Sequence, residues 1–402
     1  MRPLQGVVTN PRGYSRRMPW QAAGDSRQRR HESRNGEEIL SDEPSYADPL
    51  QRGTGDNTHR GAEEQEADHA GSRVFSVGSL RGDRDDFANA IADLQERLER
   101  LGYTTGDDRR GVLGTSTTQA VRQFQQARGL RVDGICGSQT WSAIVEAGHH
   151  FGDRYLYRKA PMIRGDDVAD LQRRLDILGF DAGRVDGIFG DQTAVALIDF
   201  QRNVGLASDG ILGPATVAEL LRVQPLQTER ELVALVRDRE RLRSGSPTLT
   251  GKLIAITEGG GLGAVVSAIT RRLTQAGARV LALQDPSTSR SAAAANSASA
   301  SACVGLQLEP DQHHCVTAYY AGYRYESPGG KRLAQLVQEI VPQALNVPDA
   351  GVRGMSIPIL RETRMPAILC EIGPAAVVVE RGAEVAMALT QAVIDWVASP
   401  CG

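Results

Sequence analysis

Hydrolysis assisted by a metal ion needs about three protein ligands and an open position for a water whose pKa falls from 15.7 to about 7. In residues 251–402 the candidate side chains are Glu258 and Glu371, each ending a short apolar run, with His313, His314 and Cys315 consecutive in sequence. His313 and His314 are the only histidines in that stretch. Neighbours in sequence do not face one another on a helix or strand, and this pair follows a strand run, in an expected loop. Spacing alone therefore gathers no ligand set. A second grouping is more regular. Asp133-Gly134-Ile135-Cys136-Gly137, Asp186-Gly187-Ile188-Phe189-Gly190 and Asp209-Gly210-Ile211-Leu212-Gly213 repeat one phrase, and Arg110-Gly111-Val112-Leu113-Gly114 is a fourth copy without the acid. A Thr follows each second glycine by three positions: Thr117, Thr140, Thr193 and Thr216. Asp133, Gly134, Asp186, Gly187, Asp209 and Gly210 are candidates for ligand contact. The competing reading makes the same phrase a turn that lets helices pack.

The elements around these loops are duplicated as well. Leu94-Gln95, Leu98 and Leu101-Gly102-Tyr103 match Leu171-Gln172, Leu175 and Leu178-Gly179-Phe180; Phe124-Gln125 with Gly129-Leu130 matches Phe200-Gln201 with Gly205-Leu206. Val168, Leu171, Leu175 and Leu178 recur at spacings of three and four, which predicts one apolar helix face. Gly102 and Gly179 stand where such a stripe ends, as helix-stopping glycines do. Each unit thus reads helix, glycine loop, helix, glycine loop, short helix. Repeats of this kind mark a duplicated module. On these phrases the units, over roughly 86–147 and 164–222, resemble the peptidoglycan-binding domain of cell-wall hydrolases. The resemblance implies a three-helix module that recognises murein glycan or stem peptide.

Composition bounds the rest. A chain of 402 residues with formal net charge −3 predicts two or three domains and gives no argument for nucleic acid or a membrane surface. Residues 1–34 hold eight Arg against Asp25 and Glu32, and residues 35–69 hold ten acids against Arg52 and Arg60. So polar a stretch buries too little to offset its ordering entropy. Residues 1–78 are accordingly expected to be a disordered tail, either a solvated leader or a segment for interaction or phosphorylation. Ser15-Arg16-Arg17 resembles the start of a twin-arginine signal, but no apolar run follows it. Nor does any run reach transmembrane length. The five cysteines (136, 303, 315, 370 and 401) form no CxxC pair and predict no disulfide framework. These features predict a cytoplasmic location.

The expected boundaries are module 1 at 79–150, module 2 at 160–225, a helical linker at 226–250 and an α/β domain at 251–402. In the last, Leu253-Ile254-Ala255-Ile256 and Val280-Leu281-Ala282-Leu283 read as strands. Further strands are expected over 304–308 and 367–370, and helices over 263–276, 289–301, 330–344 and 384–397. The alternation predicts an α/β sandwich with a largely parallel sheet. The fold class is therefore multidomain: two all-α three-helix modules, then the α/β sandwich.

The segment Leu360-Arg361-Glu362-Thr363-Arg364-Met365-Pro366-Ala367-Ile368-Leu369-Cys370-Glu371, with Ala295-Asn296 ahead of Gln307, resembles the zinc-dependent N-acetylmuramoyl-L-alanine amidases. That family implies a catalytic glutamate at Glu371 and a His, Glu, His ligand set. Here the first histidine's strand end reads Thr257-Glu258-Gly259, no Glu occurs between Glu258 and Glu309, and Gln307 stands where the third ligand, a histidine, should be. Glu258 and Gln307 are degenerate ligand positions, and an amide is a poor zinc ligand. Glu371 is then vestigial and no cofactor is expected, with zinc required only if the domain is a working amidase. Tandem modules followed by such a domain resemble the CwlM-type pseudo-amidases of actinobacteria. That resemblance implies a cytoplasmic regulator of cell-wall biogenesis. Its partners would be peptidoglycan or muropeptide fragments and a precursor-synthesis enzyme such as the UDP-N-acetylglucosamine enolpyruvyl transferase. An active amidase of peptidoglycan turnover and a structural wall-binding protein are the alternatives.

Overall fold

The computed structural model describes residues 84–223, 233–322 and 325–399. The charged tail, the Ser15-Arg16-Arg17 segment and Cys401 lie outside them. Module 1 is α1 (Arg84–Arg100), α2 (Thr115–Ala127) and α3 (Ser138–Ala147); module 2 is α4 (Asp166–Ile177), α5 (Asp191–Asn203) and α6 (Pro214–Arg222). Helices α2, α3, α5 and α6 each start one residue after the second glycine of a loop, and that glycine is the N-cap in extended backbone. Gly102 and Gly179, after the first helix of each unit, have φ of 87° and 96°, a left-handed conformation that costs a residue with a Cβ. The apolar stripe of α4 closes as expected: Val168, Leu171 and Leu175 are fully buried, with Phe189 and Phe200 in the same core. Matched aromatic pairs brace both units edge to face, Tyr103 on Phe124 at 5.6 Å and Phe180 on Phe200 at 5.7 Å.

The linker is helical over α7 (Val233–Ser244). The α/β domain then runs β1 (Leu253–Glu258), α8 (Gly263–Gln275), β2 (Arg279–Gln284), α9 (Thr288–Ser297), β3 (Ala302–Leu308), β4 (Cys315–Tyr320), α10 (Pro328–Leu345), β5 (Asp349–Met355), α11 (Pro358–Arg361), β6 (Ala367–Ile372), α12 (Ala375–Glu380) and α13 (Gly382–Ala398). Strands β4 and β5 and the short helices α11 and α12 add to the elements expected from the sequence. The sheet order is β2-β1-β3-β6-β4-β5. All neighbours are parallel except β4 and β6, which run antiparallel.

Alternation along the strands divides the core into two layers, as a period of two requires. Ile254, Ile256, Val304 and Leu306 face α8, α10 and α13, packing with Leu273, Val337, Leu389 and Trp396. Ala255, Cys303, Ala318 and Leu369 face the other way, against Ala292 and Ala295 of α9 and Ile359 and Leu360 of α11. Ala169 and Val185 of module 2 and Ala234 of α7 belong to that second cluster. The modules are therefore not beads on a string: module 2 contributes to the core of the sheet domain.

Candidate functional site

The glycine loops are built around four buried glutamines, one per loop. Gln125 Nε2 donates to Asp133 Oδ1 (2.8 Å), the Ile135 carbonyl (3.0 Å) and Thr140 Oγ1 (3.1 Å), and its Oε1 accepts from Gly134 N (2.8 Å). Gln172 repeats the pattern on Asp186, Ile188, Thr193 and Gly187, and Gln201 repeats it on Asp209, Ile211, Thr216 and Gly210. In each case the Asp Oδ1 also accepts from the amide two residues on, at 2.8 or 2.9 Å. In the first loop Arg110 replaces the acid; Gln95 keeps the Val112 carbonyl (3.1 Å), Thr117 (3.1 Å) and Gly111 N (2.9 Å), and its Nε2 donates to the Arg109 carbonyl (3.4 Å) where the other loops offer an Asp. A buried amide needs all its partners, which explains why Asp, Gly and Thr recur at fixed spacing. These hydrogen bonds tie the six loop residues expected to contact ligand into the modules. Asp133 and Asp209 are exposed; Asp186 and Gly187 face the sheet domain. The glutamines were visible in the duplicated Leu-Gln and Phe-Gln pairs, and their signal was a polar residue repeated inside an apolar face.

The second site lies at the carboxyl ends of β1, β3 and β6. Register pairs Gln307 directly with Glu371. Gln307 Nε2 donates to Glu309 Oε1 at 2.6 Å. Arg131, just after α2 of module 1, reaches across with Nη2 2.7 Å from Glu371 Oε1 and 3.3 Å from Glu309 Oε1. Burial works against the guanidinium's charge, but Glu371 and Glu309 outweigh it and raise the Arg131 pKa. Glu258 is buried at the end of β1, and its Oε2 accepts from Gly260 N (3.1 Å) and Leu262 N (2.9 Å), stitching the glycine loop to its strand. His314 joins Glu371, Glu309 and Arg131 in lining an open cleft of about 510 Å³.

This donor set does not fit a zinc ion. An amide, a carboxylate turned to its own loop and a carboxylate paired with a guanidinium leave no tetrahedral group of free donors. Among the described residues no three or more His, Cys, Asp or Glu side chains are gathered to hold a metal. Asn296 is structural here: its Nδ2 donates to the Glu362 carbonyl (2.8 Å) and its Oδ1 accepts from Arg364 N (2.8 Å), fixing the turn that leads into β6.

Comparison with known proteins matches the chain to two families. A model described as a putative peptidoglycan binding domain matches residues 88–144 and 164–220, and one for N-acetylmuramoyl-L-alanine amidase matches 253–378. The N-acetylmuramoyl-L-alanine amidase CwlM of Mycobacterium tuberculosis is 34% identical over 332 residues, covering 73% of this chain and 80% of the relative. The chain belongs to the CwlM-type family. A probable N-acetylmuramoyl-L-alanine amidase of Bacillus licheniformis is 33% identical over 149 residues, 33% of this chain and 42% of the relative. Among solved structures, an N-acetylmuramoyl-L-alanine amidase from Clostridium difficile 630 aligns at 20% identity and a TM-score of 0.32, covering 37% of this chain and 99% of that one.

In this CwlM-type chain the amidase-like domain is fastened to both modules through its Leu360–Pro366 segment. The Arg361 guanidinium pairs with Glu146 of module 1 (2.7 Å) and donates to the Asp186 carbonyl of module 2 (2.8 Å). Arg164 of module 2 pairs with Glu362 at 2.9 Å. Returning the contact, Arg184 donates to the Leu360 (3.4 Å) and Thr363 carbonyls and lies over the ring of Tyr320 at 4.4 Å. The Gly129 carbonyl accepts from Ser356 N at 2.7 Å, which brings Arg131 to the strand ends. Arg128 closes the joint between the modules with two bonds to Asp166, at 2.9 and 2.8 Å. None of these residues was singled out as an interdomain contact by the sequence. No helix among the described residues is long and apolar enough to cross a membrane.

Proposed function

We propose that this chain is a non-catalytic regulator of cell-wall synthesis that binds peptidoglycan or its precursors on a retired amidase scaffold. One observation carries the reading: Arg131 sits on Glu371 beside Gln307, at the strand ends where a zinc amidase needs a cation held by free donors. A fixed guanidinium meets the charge of Glu371 and joins two domains, so the old catalytic end supports assembly. The amidase-family match supports the scaffold, and the tandem modules support peptidoglycan-type ligands. Ligand contact in the modules is proposed for the exposed Asp133 and Asp209; Gly134, Asp186, Gly187 and Gly210 hold the loops in shape. A cytoplasmic location and action on a precursor-synthesis enzyme, such as the UDP-N-acetylglucosamine enolpyruvyl transferase, complete the proposal.

The second reading, a working N-acetylmuramoyl-L-alanine amidase, is favoured by Glu371 itself and by the name of the Mycobacterium tuberculosis relative. Purified full-length protein separates the two readings. Elemental analysis after dialysis against zinc should find well under one equivalent, and muropeptides should stay intact; one tightly held zinc with release of stem peptide would establish the amidase. For the partner, addition of the chain to the purified transferase should raise its rate, and an unchanged rate would remove that part of the proposal.

A further inference from the structure

Away from Glu371, at the amino ends of β1, β3 and β6, lies a second cleft of about 510 Å³ between α7 and the sheet domain. Its lining includes four cations, Arg184, Arg241, Lys252 and Arg364. Among the described residues Asp238 is the single acid lining it, and that carboxylate is already engaged by Arg237 (3.0 Å) and the Tyr325 hydroxyl (2.5 Å). Arg184 spends its terminal nitrogens on backbone carbonyls, and among the described residues its charge meets no carboxylate there and its buried Nε has no hydrogen-bond partner. Among the described residues the side chains of Arg241, Lys252 and Arg364 form no ion pair or hydrogen bond. Lys252 Nζ lies beside Gly245, at the end of α7.

We infer that this cleft binds a small molecule bearing phosphate or diphosphate oxygens. Uncompensated cations around one concavity repel each other and favour a multiply charged anion. A single carboxylate would neutralise only a fraction of that charge. Arginine forks match phosphate oxygens in pairs, and the cleft has the size of a small-molecule site. A concave pocket between two elements suits a compact ligand better than a flat polymer or bilayer. This inference is independent of the zinc question, since it uses the opposite end of the sheet.

Isothermal titration of the full-length protein with inorganic pyrophosphate at low salt should show saturable binding that weakens as salt rises. The double variant Arg241→Gln/Arg364→Gln, which alters two exposed side chains, should bind at least about tenfold more weakly, the effect of losing one strong charged hydrogen bond or more. Arg131→Gln, at the other end of the sheet, should bind as the parent does. Circular dichroism of each variant verifies that it is folded. Absence of saturable binding, unchanged affinity in the folded double variant, or equal affinity for the polycarboxylate tricarballylate would overturn the inference.

Discussion

Arg131 shows how one side chain can link two domains. It is half exposed, while the carboxylates it meets are mostly covered, so solvent screening limits the pair to about 1 kcal/mol or less. Reversing its charge is more informative than deleting it. Arg131→Glu would set a third carboxylate against Glu371 and Glu309. It should lower the denaturation midpoint more than Arg131→Ala does, and high salt should shrink the difference. Equal midpoints for the two variants at low salt would mean that Arg131 is not held at Glu371 in solution.

At the scale of elements, the glutamine clamps decide whether a module folds. Gln172→Leu keeps the volume but strands Gly187 N, while the Ile188 carbonyl and Thr193 Oγ1 each lose one bond and keep those to Gly190 N and the Ala182 carbonyl. With about 1–3 kcal/mol for a buried group left unpaired, the loss should be on the order of 1–3 kcal/mol, read by denaturant titration. The α4–α7 junction has its own signature. Asp176 is buried there, accepting from Ala234 N (3.0 Å) and Ala182 N (3.3 Å). Burial pushes its pKa up from 3.8 to about 6 against the pull of those two amides. The native state therefore holds this proton more tightly than the unfolded chain. Its contribution to stability is full below about pH 4 and fades as pH rises through about 6. A carbon-13 titration should place the Asp176 carboxyl midpoint near 6; a midpoint near 4 would mean that water reaches it.

For the whole molecule, the question is what keeps the modules against the sheet. Gly129 and Gly205 are repeat equivalents, both left-handed, with φ of 63° and 77°. A Cβ at Gly205 would meet nothing within 4 Å, whereas one at Gly129 would lie 3.2 Å from Ser356 N and 3.3 Å from the Ala321 carbonyl. Alanine at either site carries the same left-handed cost of about 1–2 kcal/mol, so the difference between them isolates docking. Gly129→Ala should lose more stability than Gly205→Ala and, by small-angle scattering, should expand the particle. Matching scattering profiles for the two variants would show that module 1 is held by other contacts.

How much was legible follows from the range of the forces. Short-range demands are written locally: a buried glutamine needs the same Gly and Thr each time, and an Asp in three of the four loops, so the loops, helix starts and duplicated modules could be read from spacing. Strands β1, β2, β3 and β6 were legible because they are short apolar runs. Residues 349–355 were not, because β5 is an edge strand broken by Gly351 and Gly354, with little apolar surface to announce it. Nor was β4, a fully buried strand that follows the His313-His314 loop and pairs antiparallel in a sheet expected to be largely parallel. Glu258 and Gln307 were visible in the chain at the expected ligand positions, but their partners were not. Arg131 meets Glu371, and Arg361 meets Glu146, across sequence separations of 240 and 215, and a lone surface arginine carries no periodicity to reveal such a partner. Local hydrogen-bonding needs determined the modules; only tertiary packing, by bringing distant charges together, decided that the Glu371 end of the sheet would meet Arg131 of module 1.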